Sequence, residues 1–222
     1  MTSIFATALG ADFERLHPML RRRFGVGITT GYACVGTGVM SSVRRGPWWT
    51  LPFLHLGAAR NILFPDQGRD VPFTIENFPY VDPFGRETVT FVREYLLGSR
   101  ARRFDATMIA DRGAVIDYLG THQHLAVDLE LTVEDDGSLS LTSTEQRFSE
   151  GPIAFRFPRL LTGQARLRES FDDDAGVYRI SVEVRNPVLG FLFGYEGTFT
   201  CEFPKAADAP DRLKPVRHEV RT

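Results

Sequence analysis

Hydrophobic positions over the first 24 residues recur at steps of three and four, namely Ile4, Phe5, Ala8, Leu9, Phe13, Leu16 and Leu20. That is the period of an amphipathic helix. Thr2 or Ser3 stands where a cap belongs, and Pro18 interrupts the run, so the pattern predicts one helix ending near His17 and a second short turn running to Phe24. From residue 25 to 43 the pattern changes, because Gly25, Gly27, Gly31, Gly36 and Gly38 alternate with small and β-branched residues. This reads as a Gly-rich strand whose missing side chains admit a bulge or the close approach of a ligand. A second helix is predicted over residues 47–63, starting after Gly46-Pro47, with Trp48, Leu51, Leu54, His55 and Ala58 on one side.

Beyond residue 70 the period shortens to two, and turn residues punctuate it. Residues 71–78 and 87–97 flank Asp82-Pro83-Phe84-Gly85, and 104–110 meets 114–119 through Asp111-Arg112-Gly113. Residues 127–133 and 138–148 flank Asp135-Asp136-Gly137, and 165–171 meets 177–184 across Asp172-Asp173-Asp174-Ala175-Gly176. A last strand, 191–203, follows Asn186-Pro187, and 151–163 is an irregular, proline-bearing segment. The pattern therefore predicts about nine or ten strands, mostly in sequential hairpins, and so many antiparallel strands leave exposed edges unless the sheet curls or closes. The expected fold is mainly β (α+β), a strongly curved antiparallel sheet or β-barrel enclosing a small-molecule cavity. It forms a single β-rich domain over residues 1–204, and the polar tail 205–222 is expected to fray.

Composition narrows the partners. The chain has 222 residues, 43% hydrophobic and 24% charged, as a globular protein does. Its 26 basic and 28 acidic residues leave a net charge of -2, with no overall footprint for nucleic acid or an anionic membrane. Small apolar or amphipathic ligands fit better. Lys205 and Lys214 are the only lysines, so the basic charge is almost all arginine. Cys34 and Cys201 are too few for a disulfide framework, which suggests a reducing, cytoplasmic location. Residues 1–9 lack the features of a secretory leader, and no stretch approaches the ~20 apolar residues of a membrane span. His122 and His124 have H-x-H spacing but no evident third ligand, so neither metal nor cofactor is expected. Nucleotide, zincin and serine-hydrolase motifs are absent; the G-x-G at 36–38 has no third glycine and no following helix. The oligomeric state is open between monomer and homodimer.

Strand phase then singles out polar residues that share a face with apolar ones. Arg93 is in phase with Val89, Phe91 and Tyr95, and Asp117 with Val115 and Leu119. Arg93 either satisfies a core carboxylate, for which Asp117 is the candidate, or holds an anionic or carbonyl group of a ligand. Asp117 facing an apolar cavity would have a raised pKa suited to acid/base work, although a solvated strand edge also accommodates it. Glu145, in phase with Leu139, Leu141 and Ser143, completes the candidate catalytic set of Arg93, Asp117 and Glu145. Candidate ligand contacts are Trp48, Phe91, Tyr95, Tyr118, Glu169 and Tyr195. Of these, Trp48 with Trp49 could line an entrance or simply fill core, Tyr118 takes the face of Ile116 rather than that of Asp117, and Glu169 with Arg168 could be an ordinary cross-strand pair. Asp128 and Glu130 oppose an apolar set and are expected to face water.

Three separated motifs carry a resemblance. Phe5-Ala6-Thr7-Ala8-Leu9-Gly10 with Leu16-His17-Pro18, the strand ending Gly36-Thr37-Gly38-Val39-Met40, and Asn186-Pro187-Val188-Leu189-Gly190 with Gly194-Tyr195-Glu196-Gly197 are together similar to the DUF4166 family over roughly residues 4–203. The resemblance implies a bacterial protein, in some members fused behind a saccharopine-dehydrogenase-like domain, a fusion not expected here. It implies no assigned reaction. A family W-x-R-x-F segment resembles Phe91-Val92-Arg93-Glu94-Tyr95, matching at the arginine, and a family glutamate resembles Glu169. The leading expectation is a cofactor-independent enzyme, performing cyclisation, isomerisation or dehydration on a largely apolar metabolite, with secondary metabolism as one setting. The alternative is a carrier of a lipid-like ligand, and a third reading uses the helix at 47–63 as a docking face.

Overall fold

In the computed structural model, which describes residues 3–158, 160, 162–206 and 208–222, ten antiparallel strands close into a barrel and two more pair outside it. The strands are β1 (Cys34–Arg45), β2 (Gly68–Asn77), β3 (Pro79–Val81), β4 (Glu87–Leu97), β5 (Arg100–Asp111), β6 (Ala114–Leu119), β7 (Leu125–Val133), β8 (Leu139–Glu150), β9 (Ile153–Arg156), β10 (Gln164–Asp172), β11 (Val177–Asn186) and β12 (Gly190–Glu202). Around the barrel the order runs β1, β2, β4, β5, β6, β7, β8, β10, β11, β12. The predicted hairpins are all present. Their turns use glycines with positive φ, such as Gly113 at 82° and Gly137 at 75°, where a side chain would be strained.

Closure depends on two long-range pairings. β12 lies along β1 from Val35 opposite Glu202 to Arg45 opposite Phe193. Gly38 and Gly197 make that approach possible, since a Cβ on either would come within 2.3 Å of the facing backbone, and Phe199 occupies the space over Gly36. The glycines of β1 thus serve sheet packing, and a bulge falls between Met40 and Ser42. The second pairing is short. Only the first part of β8, Leu139 to Thr142, meets β10, while its far part, Arg147 to Glu150, pairs with β9 instead. The wall therefore parts at one end between β8 and β10.

The other end is plugged. α1 (Ile4–Leu9), α2 (Pro18–Phe24) and the link between them seal it with Phe5, Leu16, Leu20 and Phe24, all buried, and the Phe5 ring meets those of Phe24 and Phe91 at 4.8 and 5.9 Å. Beneath the plug Arg23 forms a buried ion pair with Glu169 and donates to Asn77 Oδ1 at 2.7 Å. The first helix stops at Leu9 rather than His17, because Gly10 adopts φ 57° and a 3-10 turn, Gly10–Arg15, follows. Ser3 supplies the cap, accepting from Ala6 N at 3.2 Å; Thr2 lies outside the described residues. The second predicted helix also contracts, to α3 (Leu51–Ala58) preceded by a 3-10 turn at Trp48–Thr50, and Leu54 is its one buried side chain.

The tail does not fray. It runs along the outside of the barrel, with the Glu219 N–H donating to Gln123 Oε1 at 2.7 Å and the Tyr118 hydroxyl donating to the carbonyl of Arg221 at 2.9 Å. Ala209, Leu213 and Glu219 are buried there, and Tyr118, held by the tail, belongs to a small outer cluster with Ile109, Ile116 and Ala126. Composition alone missed this because the tail is held by backbone and arginine hydrogen bonds rather than by an apolar face.

Candidate functional site

The hollow half of the barrel contains a cavity of about 820 Å³. Aliphatic side chains from opposite walls line it, including Val127, Leu129, Leu141, Leu167, Val182 and Val184. Alternation along each strand delivers them inward, since β-branched and leucine residues occupy every second position. The volume lies in the range of about 300–1,000 Å³ usual for small-molecule sites. Its mouth is formed by α3, the segment through Phe157 and Leu160, and the β11–β12 turn at Val188 and Leu189.

Three polar groups stand deep in this apolar space: Arg93 from β4, Asp117 from β6 and Tyr195 from β12. The Arg93 guanidinium lies 4.7 Å from the Phe104 ring centre and 5.6 Å from that of Phe91. Its Nε and Nη1 are buried without a hydrogen-bond partner, as is Asp117 Oδ1, while the buried Tyr95 and Tyr195 hydroxyls interact with each other. Arg93 and Asp117 face one cavity, two strands apart, yet do not close to ion-pair distance. Burial pushes the Asp117 carboxyl up to about 7, and the Arg93 charge opposes that rise only in part. Buried polar atoms are ordinarily satisfied, so this cavity floor is a local exception, with donors and an acceptor that the fold itself leaves free.

The remaining polar lining is occupied by structure. Gln146 donates to the Gly163 carbonyl at 2.5 Å, Ser143 Oγ accepts from Ala165 N at 2.7 Å, and Asn186 donates to the carbonyls of Leu160 and Thr162 at 2.9 and 2.8 Å. These residues staple the mouth segment across the gap between β8 and β10. The sequence pattern marks Asn186-Pro187 as a turn and puts Ser143 in phase with Leu139 and Leu141, but it assigns neither this stapling role and does not single out Gln146; Asn186 Oδ1 also accepts from Val188 N and Leu189 N at 2.8 Å.

The structure brings Arg93, Asp117 and Tyr195 together and leaves the other candidates elsewhere. Glu145 points outward, paired with Arg156 at 2.6 Å and with Arg147 at 3.5 Å. The cause is a bulge: β7 advances from Val127 to Leu129 while β8 steps from Gln146 back to Ser143, so Gln146 takes the inward phase that strict alternation assigns to Glu145. Tyr118 is outside, accepting from Arg86 at 3.1 Å beneath the tail. Glu169 belongs to the plug, as the partner of Arg23. Phe91 and Tyr95 are core, the former against Phe5 and Arg93, the latter between the rings of Phe64, Phe73 and Tyr195. Trp48 is exposed and does not line the cavity. The H-x-H pair lies off the strands, with its rings stacked 5.5 Å apart and Gln123 between them at φ 51°.

Fold and site together define a closed ten-stranded antiparallel barrel, plugged by helices at one end and hollow at the other, with a polar floor to an apolar cavity. The chain belongs to the DUF4166 family, described as a domain of unknown function, whose profile matches residues 16–199. It is also similar to the uncharacterized protein YndH of Bacillus subtilis (strain 168), 31% identical over 204 residues that span 91% of this chain and 98% of the relative. Among the described residues no helix is long and apolar enough to cross a membrane.

Proposed function

We propose that the protein takes one amphipathic small molecule into the barrel, its apolar body against the wall and a carboxylate or carbonyl end at Arg93 and Asp117. The observation that carries this reading is the unpartnered Arg93 guanidinium at the floor of an otherwise aliphatic cavity. Its free Nε–H and Nη1–H can each donate to a ligand oxygen, and charge-assisted bonds of this kind are the strongest that arginine makes. Asp117 in its protonated form donates as well, and below about pH 7 it adds no repelling charge. The test is displacement of a fluorescent apolar dye by a long-chain carboxylic acid and by the alcohol of equal length. The acid should bind more tightly, and Arg93→Met should remove that preference with a loss of about tenfold to a hundredfold, as expected for charge-assisted hydrogen bonds. Failure of both compounds to displace the dye, or an undiminished preference in the variant, would overturn it.

A second reading, cofactor-free acid/base catalysis, is favoured by one observation: a carboxyl titrating near 7 faces a guanidinium across an apolar cavity. Arg93 would polarise a carbonyl oxygen and Asp117 would take or return the adjacent proton, a division of labour that works best when the base titrates near the working pH. Glu145, on the outer face, is left out of this reading. Turnover of a bound carbonyl compound that rises with pH through about 7 and vanishes in Asp117→Asn, with binding retained, would support it.

A further inference from the structure

We infer that the mouth of the barrel docks on an anionic phospholipid surface, from which the cavity is filled or emptied; the filling step rests on the ligand-binding reading above, while the docking itself does not. Among the described residues the mouth gathers a cluster of strongly exposed apolar side chains. Trp48, Phe53, Leu56 and Val188 are 75%, 61%, 74% and 67% exposed, and the last three also line the cavity. Trp49 is half exposed beside the same turn, its indole N–H reaching the Leu189 carbonyl at 3.5 Å, and its ring meets that of Trp48 edge-on at 5.9 Å. Such an area, continuous with an apolar interior, marks a contact surface rather than ordinary scatter. Paired tryptophans suit one occupant in particular, since indole rings favour the boundary between lipid headgroups and acyl chains.

Charge points the same way. From residue 44 to 65 the chain has Arg44, Arg45 and Arg60 and no carboxylate, and 186–195 contain no acidic residue. The next acid along the chain, Asp66, is taken by Arg102 at 2.6 Å. Among the described residues, Arg44, Arg45 and Arg60 have no carboxylate within 4.0 Å; Arg60 meets His122 instead. In a chain with net charge -2 the stretches that form the mouth thus carry arginine around apolar side chains, with Asp66 and Asp70 in the neighbouring hollow beside Arg45. That combination binds anionic lipid headgroups while burying its aromatics at the interface. A protein partner could use the same aromatics and arginines, but a second copy would set these arginines against one another, whereas anionic headgroups meet all of them with opposite charge.

The chain supplies its own reporter, because Trp48 and Trp49 are its only tryptophans. Intrinsic emission and flotation are to be measured with vesicles of phosphatidylcholine alone and with a one-third share of phosphatidylglycerol. The expected result is a blue shift and flotation with the anionic vesicles, both reduced at high salt as screening predicts. Phe53→Ser with Leu56→Ser, which keeps both tryptophans, should reduce the bound fraction about tenfold or more, and Arg44→Glu with Arg45→Glu about tenfold. Circular dichroism should be unchanged in both, since these side chains are exposed or lie at the barrel rim. Absence of shift and flotation in the wild type overturns the inference, as does equal, salt-insensitive binding to both vesicles. A concentration-dependent dimer broken by Phe53→Ser and Leu56→Ser, with emission blue-shifted before vesicles are added, overturns it in favour of a second copy. Uptake of a fluorescent fatty acid in vesicle-free buffer separates the two readings: uptake without docking overturns this inference alone, and docking without uptake overturns only the cavity assignment.

Discussion

Replacing Asp117 by asparagine isolates the energetic consequence of a carboxyl in this cavity. In the folded protein the group titrates at about 7, against an ordinary value of 3.8, chiefly through burial. The folded state therefore holds a proton that the unfolded chain has already released over the intervening pH range, and stability falls as pH rises through it. At about 1.36 kcal/mol per pH unit, a gap of about three units corresponds to about 4 kcal/mol lost between about pH 4 and pH 8. Water entering through the open mouth would reduce that figure, so a loss of about 2–4 kcal/mol is expected. The amide of Asp117→Asn resembles the protonated acid in shape and neutrality and cannot ionise. Urea unfolding of the wild type and the variant at several pH values measures the difference directly, because all other titrations are common to both proteins. Any fixed penalty for the amide shifts the difference equally at every pH, so the slope is decisive. The variant should gain on the wild type from about pH 4 to about pH 8 and then level off. A constant difference would refute the reasoning, since it would mean that Asp117 is ionised throughout, held by Arg93.

Binding of a carboxylate ligand should weaken as pH rises through about 7, when Asp117 gains a charge beside the site, and should lose that dependence in Asp117→Asn; calorimetric titration across the range checks it. Ala165→Trp, which fills the cavity near its mouth, should abolish dye binding with a change in stability of about 1 kcal/mol or less, read from parallel dye titrations and urea melts. Glu169→Gln leaves Arg23 as an uncompensated buried charge in the plug and should cost about 3–5 kcal/mol in urea unfolding. Glu145→Gln, by contrast, removes only half-exposed ion pairs and should change stability by about 1 kcal/mol or less, with ligand binding unaltered.

How much of the site was legible follows from where alternation holds. Arg93 and Asp117 lie on β4 and β6, whose pairings with β5 run without a bulge, so their parity with Val89, Phe91, Val115 and Leu119 was a dependable guide to facing. Glu145 lies within the irregular stretch of β8, and one extra residue there reverses the phase. Tyr118 has the parity of Ile116, as the pattern showed, and the structure places it accordingly outside, under a tail whose polar composition concealed its packing. Trp48 and Phe53 illustrate the opposite difficulty: an apolar run predicts burial, and nothing in periodicity distinguishes a helix facing a core from one standing at a rim.

The sequence by itself determined the hairpins, the facing of regular strands and the choice of Arg93 and Asp117, because these depend on residues close along the chain and on a side-chain period of two. Only the tertiary structure decided that the sheet closes, that its walls stay apart around a cavity, and that the cavity opens beside α3. Closure joins β1 to β12 and β8 to β10, pairings between distant or non-consecutive strands, and the mouth opens where the β8–β10 contact ends, after Leu139 to Thr142. Alternation states which side of a strand is apolar; the separation of facing walls is set by strand number and long-range register, which no local pattern encodes.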